Sequence, residues 1–163
     1  MSLTGIRTIH GGARRTSLSA ILLALVACTE SPAPGDDARA DPRDAAKVVL
    51  GAKVYARTCA LCHGARLEGQ PDWRARLPNG RLPAPPHDAS GHTWHHPDHL
   101  LFAITKNGLV PPHAPAGYAS DMPAFGGSLS DEEIWAVLAY IKKQWPGEVL
   151  SARTEMLRSS ASR

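Results

Sequence analysis

The sequence predicts an all-α fold of three to four helices joined by long loops, on three observations. A capping box, Ser130-Asp131-Glu132-Glu133, stands directly before an apolar stripe of helical period. Asp41-Pro42 supplies a helix start ahead of Val48, Gly51 and Tyr55, which share one face. The stretches 64–96 and 109–129 are rich in Pro and Gly, and aromatic residues are only 6% of the chain. Such segments read as loops wrapped around something other than their own side chains.

Taken in order, residues 1–27 read as a signal peptide. Arg7, Arg14 and Arg15 precede an apolar run from Leu18 to Ala27, broken only by Ser19 and too short to span a bilayer. The run ends in Leu25-Val26-Ala27-Cys28, which resembles the lipobox of bacterial lipoproteins. That resemblance implies lipidation of Cys28 and extracytoplasmic, membrane-anchored placement, periplasmic in a Gram-negative cell. Thr29 in place of Asp implies the outer membrane. Residues 28–41 are polar with Pro32, Pro34 and Gly35, and read as a flexible tether reaching about 20 Å.

The first helix is predicted over 42–60, with Asp41 as N-cap and Asp44 in its first turn. A second is predicted over 97–108, with Pro97 early, Gly108 past its end, and Leu100, Leu101 and Ile104 facing inward. The third follows the capping box, with Ile134, Leu138, Ile141 and Trp145 in one stripe that Pro146-Gly147 stops. Gly51 lets this helix cross the first closely, with Tyr55 and Tyr140 meeting there. Residues 147–163 are polar and read as a flexible tail. The core domain is therefore expected over 42–146.

Net charge is +3, but beyond the signal segment 15 basic residues face 15 acidic ones. Global charge therefore gives no reason to expect nucleic acid as a partner. Arg66, Arg74, Arg76 and Arg81 outnumber Glu68 and Asp72 in the first loop, a patch suited to orienting an acidic protein.

Cys59-Ala60-Leu61-Cys62-His63 closes the first helix. Cys-x-x-Cys-His reads as a covalent c-type haem attachment site. Each thiol forms one thioether with a porphyrin vinyl group, and His63 comes under the iron as an axial ligand. A redox dithiol needs a strand, turn and helix around it, and a structural zinc site needs two more close ligands. The chain's remaining cysteine is Cys28.

The sixth iron position has two methionine candidates beyond the signal segment, Met122 and Met156. Met122 sits before the last predicted helix, and Pro123 stiffens its backbone. This order, Cys-x-x-Cys-His after a first helix and Met-Pro before a last one, resembles class I cytochrome c over residues 42–146. The run Met122-Pro123-Ala124-Phe125-Gly126-Gly127 through Trp135 is similar to the bacterial monohaem members. The resemblance implies a class I cytochrome c fold around one haem c, with His63 and Met122 as axial ligands. It also places Trp94 as a donor to a haem propionate. The implied job is one-electron carriage between extracytoplasmic redox partners such as an oxidase, reductase or dehydrogenase, without enzymatic activity of its own.

His87, His92, His95, His96 and His99, with His113 further on, depart from the simple pattern. They allow a cytochrome with an added copper-binding loop, or histidines that line the haem edge. His113 or a loop histidine could also replace Met122 on iron. A displaced Met122 would give a haem domain with accessible iron, open to peroxide or a gas.

Overall fold

In a computed structural model, which describes residues 1–2 and 39–161, the first helix starts later than the sequence predicts. Helix α1 spans Ala45–Val54, capped by Asp44, whose carboxylate accepts the Lys47 backbone N–H at 3.1 Å. Asp41, the expected cap, instead accepts the Arg43 backbone N–H at 2.9 Å and pairs with the Arg43 guanidinium. Those bonds hold the Asp41 carboxyl down at about 2. An aspartate two residues before an arginine satisfies itself locally, which leaves the next aspartate to cap.

α1 continues into a π-helical turn, Tyr55–Cys59, and then into α2, Ala60–His63. The three pieces make one helical rod, and the wide turn ends on the first cysteine of the pair. Helix α3 spans Asp98–Asn107, with Pro97 at its N-cap position and Gly108 ending it at φ 81°. Helix α4 spans Asp131–Lys143. Its capping box is reciprocal: the Glu133 N–H donates to the Ser130 hydroxyl at 3.2 Å, and the Ser130 N–H to the Glu133 carboxylate at 2.9 Å. Among the described residues no strand occurs.

α4 crosses α1 at Gly51. A Cβ there would stand 2.0 Å from the Ala136 carbonyl oxygen and 2.8 Å from Tyr140 Cβ, so the crossing requires glycine. Beside it the Tyr55 and Tyr140 rings sit 5.4 Å apart. Val54, Tyr55, Ile134, Val137, Leu138 and Ile141 are buried at this seam. Each side chain removed from water contributes roughly 1.5–3 kcal/mol.

Two expectations for the domain's edges are corrected. Ala40, assigned to the tether, is fully buried in the core, so the packed region begins earlier than 42. Residues 147–163, expected to be a flexible tail, hold helix α5, Gly147–Ala161. Val149 and Leu150 pack on the core. Arg153, only 3% exposed, donates to the Trp94 carbonyl at 2.9 Å, to the His96 carbonyl, and to the Asp98 carboxylate. Lys142 Nζ donates to the same carboxylate at 2.6 Å. A buried ion cluster thus anchors a helix that apolar periodicity could not announce, because its anchor is charged.

No described helix is long and apolar enough to cross a membrane. The expected signal peptide beyond its first two residues, Cys28 and most of the tether lie outside the described residues.

Candidate functional site

The rod ends on the predicted attachment run. Cys59 is half-buried and Cys62 exposed, both as free thiols. Burial, with Cys62 second, pushes the Cys59 thiol up to about 11.

His63 is buried, and its Nδ1 lies 2.8 Å from the Pro85 carbonyl oxygen. A carbonyl only accepts, so Nδ1 carries the proton and Nε2 keeps its lone pair. Burial lowers the basicity of the ring, and the Pro85 bond works against that loss. At the backbone, the Tyr55 hydroxyl donates to the His63 carbonyl at 3.4 Å and to the next one, of Gly64, at 2.9 Å. Backbone and ring are therefore both fixed.

The acceptor is fixed too. Gly69, at φ 68°, stands where a Cβ would be 2.4 Å from Pro86 N, and one on Gly91 would be 2.0 Å from Pro86 O. The two glycines let the chain close around the Pro85-Pro86 pair. The next residue, His87, stacks on His63 with ring centroids 3.9 Å apart and planes 22° apart. His87 Nδ1 lies 2.8 Å from Thr93 Oγ1, and its carbonyl accepts the Trp145 indole N–H at 2.7 Å. Burial, with His63 next, holds the His87 imidazole well below its ordinary pKa of 6.5.

Trp94 lies in a short 3-10 turn, Thr93–His95. Its indole Nε1 is buried with no hydrogen-bond partner among the described residues. A buried, unpaired N–H costs about 1–3 kcal/mol unless an acceptor meets it. Met122 is half-buried in the loop between α3 and α4, and its N–H donates to the Ser120 hydroxyl at 3.0 Å. The end of that loop is tied to α3, with Phe125 N–H donating to the Thr105 carbonyl at 3.0 Å and Gly126 N–H to the Lys106 carbonyl at 2.9 Å.

The histidine-rich loop does not gather as ligands. His92 stacks on Trp73 at 5.4 Å and meets His96 edge-on at the same distance, while His95 sits edge-on to Trp94. Among the described residues no three His, Cys, Asp or Glu side chains converge to hold a metal. His99 lies on α3 and His113 in the later loop. Of the basic patch, Arg81 pairs with Asp121 and Arg74 lies over the Trp73 ring.

Sequence reasoning missed three members of this region. The Pro85 carbonyl is a backbone group and leaves no side-chain signal. His87 was visible only as one histidine among several, although its place after two prolines marks a rigid position. Arg153 was hidden in a segment read as polar tail. The region as built fits a covalently held haem: two thiols a helical turn apart, a neighbouring imidazole with its lone pair on Nε2, and an unpaired buried indole N–H suited to a propionate.

The chain matches the family model described as cytochrome c oxidase, cbb3-type, subunit III, over residues 46–141. It is 30% identical over 118 residues to the cytochrome c subunit of alcohol dehydrogenase (quinone) from Gluconacetobacter polyoxogenes, covering 70% of this chain and 23% of that one. The Gluconobacter oxydans protein of the same description is 30% identical over 116 residues, 69% of this chain and 22% of its own. The gluconate 2-dehydrogenase cytochrome c subunit of Pantoea cypripedii is 31% identical over 98 residues, 58% and 20% respectively. The matched segment thus spans less than a quarter of these curated relatives. No solved structure matches the chain significantly.

Proposed function

The chain belongs to the c-type cytochrome family described as cytochrome c oxidase, cbb3-type, subunit III, and on that premise we propose that it is a monohaem one-electron carrier. A haem c held at this site supplies a one-electron iron couple. Cys59 and Cys62 each give a thioether. His63 would hold the iron through Nε2, and the Pro85 carbonyl, by accepting a hydrogen bond from Nδ1–H, orients the ring and raises its donor strength. Met122 would give a neutral thioether sulfur to the same iron, which favours the ferrous state. Trp94, whose buried indole N–H has no partner among the described residues, would donate to a propionate.

The observation that carries this reading is the His63 arrangement: a buried imidazole directly after Cys62, its tautomer set by one backbone carbonyl. With His63 and Met122 both holding the iron, substrate would be kept from the metal, and the chemistry would be electron passage to a protein partner. Leu61, 94% exposed, and Cys62 are the open members of the motif and mark the face a partner meets. The names of the relatives support a quinone-linked dehydrogenase as one partner. An oxidase or reductase is then a fitting acceptor, with Arg66 and Arg76 on the loop beside the motif to steer acidic surfaces. A lipid on Cys28 would hold the carrier at an extracytoplasmic membrane surface, and Cys28→Ser should release it from the membrane fraction.

The test is haem stoichiometry on the purified chain, by pyridine haemochrome spectrum and intact mass. One covalent haem is expected, reduced to a single thioether in Cys59→Ser. A chain of unmodified mass with two free thiols in the motif, from a host competent in cytochrome maturation, would overturn the assignment.

A further inference from the structure

We infer that Arg153, on a helix beyond the matched family segment, is a positioning residue for the haem pocket: it holds the turn that presents Trp94. The family match ends at residue 141, whereas α5 occupies Gly147–Ala161. Arg153 spends its guanidinium on one place. Nη1 donates to the Trp94 carbonyl at 2.9 Å and to the His96 carbonyl, and Nη2 donates to the Asp98 carboxylate at the start of α3. One of these carbonyls lies within the 3-10 turn Thr93–His95 and the other directly after it.

That turn matters because of what it carries. Trp94 Nε1 is fully buried without a partner among the described residues, although the backbone of the same residue is clamped. A site that buries an arginine to fix one residue's main chain, and leaves that residue's side-chain donor unpaired, is organised around a missing acceptor. Asp98 neutralises the guanidinium and takes Lys142 Nζ at 2.6 Å, so the clamp is referenced to α3 and α4 together. An arginine suits this because its planar fork reaches several acceptors at once, which an ammonium does not.

The inference rests on the proposed haem reading, with Trp94 donating to a propionate. A firmly presented N–H partly neutralises that carboxylate and so favours the reduced iron. Loosening the turn should lower the midpoint potential. Loss of the arginine's charge alone would do the same, so the informative variant keeps the charge.

Arg153→Lys, Trp94→Phe and the double variant are compared as haem-loaded full-length proteins by redox titration, with solvent exchange of the Trp94 indole proton followed by NMR in the ferrous state. Arg153→Lys is expected to lower the potential in the direction of Trp94→Phe and to speed indole exchange by about tenfold or more, as local opening becomes easier. In the Trp94→Phe background it should shift the potential no further. An unchanged potential and exchange rate in Arg153→Lys, or shifts that add in the double variant, would overturn the clamp. If Arg153→Lys melts α5, seen as lost helicity by circular dichroism, Asp98→Asn serves instead. It removes the carboxylate that holds the Arg153 guanidinium, so faster indole exchange is expected there, and unchanged exchange would overturn the clamp. Covalent haem content is measured on every sample, so a chain without haem tells against the carrier reading and is separate from these outcomes.

Discussion

The two sides of the proposed haem site are built differently. On the His63 side every element is fixed at more than one point: the ring by Pro85 and the His87 stack, the backbone by the Tyr55 hydroxyl, and His87 by Thr93 and Trp145. On the Met122 side, the loop is tied to α3 at Phe125 and Gly126, while Met122 itself is half-buried and held through Ser120. The difference follows from chemistry. A covalent attachment needs thiols and imidazole presented in fixed order, whereas a thioether ligand is recruited by the metal and needs only to be within reach.

The sharpest way to break the rigid side is through the ion cluster behind it. Asp98 is 1% exposed and lies between Lys142 and Arg153. Asp98→Ala would take this carboxylate from the buried Arg153 and Lys142, and removing one partner of a buried pair costs about 3–5 kcal/mol. Denaturant midpoints of the haem-loaded protein should fall accordingly. A change under about 1 kcal/mol would mean the cluster is more hydrated than its burial implies.

Next comes the helix crossing. In Gly51→Ala the added methyl meets the Ala136 carbonyl, which belongs to a helix backbone and cannot swing aside. Overpacking of this kind costs about 1–3 kcal/mol, enough to outweigh the roughly 1 kcal/mol that alanine gains over glycine inside a helix. Denaturant unfolding should show net destabilisation. A neutral or stabilised Gly51→Ala would show that the two helices are free to part.

These two sites also show what a sequence discloses. Gly51 was legible because a glycine at i+3 on an apolar face, followed by Tyr55, has few uses besides a close crossing. Ser130 and Glu133 were legible because a capping box is a local pattern. The Cys59–His63 run was legible because its spacing is a single helical turn. Asp98 and Arg153 were not, since they are 55 residues apart and each alone looks like an ordinary surface charge. The Pro85 carbonyl was invisible because backbone acceptors leave no letter in the sequence. The first helix began late because Asp41 found Arg43 as a nearer partner, a competition that a list of caps does not resolve.

Acid should weaken the rigid side more gently. His87 is buried neutral with its pKa well below 6.5. Above that value both folded and unfolded chains hold it uncharged, and it adds no pH dependence. As pH falls below 6.5 the unfolded chain takes up the proton and the folded one does not, so stability drops until the folded pKa is reached. Unfolding midpoints measured against pH should decline on the acid side and decline less in His87→Leu. Parallel profiles for the two proteins would show that His87 is not buried neutral.

Met122→Ala should have the smallest effect on the fold and the most specific effect on the site. A half-buried methionine whose neighbours are loop residues loses less than the 2–5 kcal/mol of a fully buried one, and about 1 kcal/mol is expected. The haem should remain attached, because Cys59, Cys62 and His63 stand on the other, independently fastened side. The methionine-to-iron charge-transfer band of the oxidised protein should vanish, the midpoint potential should fall with the loss of a soft neutral ligand, and the reduced protein should bind carbon monoxide. Persistence of the band would move the ligand to Met156. A bis-histidine spectrum in the unmutated protein would instead move it to His113 or a histidine of the 87–99 loop. Either result would leave the contrast between the two sides standing and relocate its loose half.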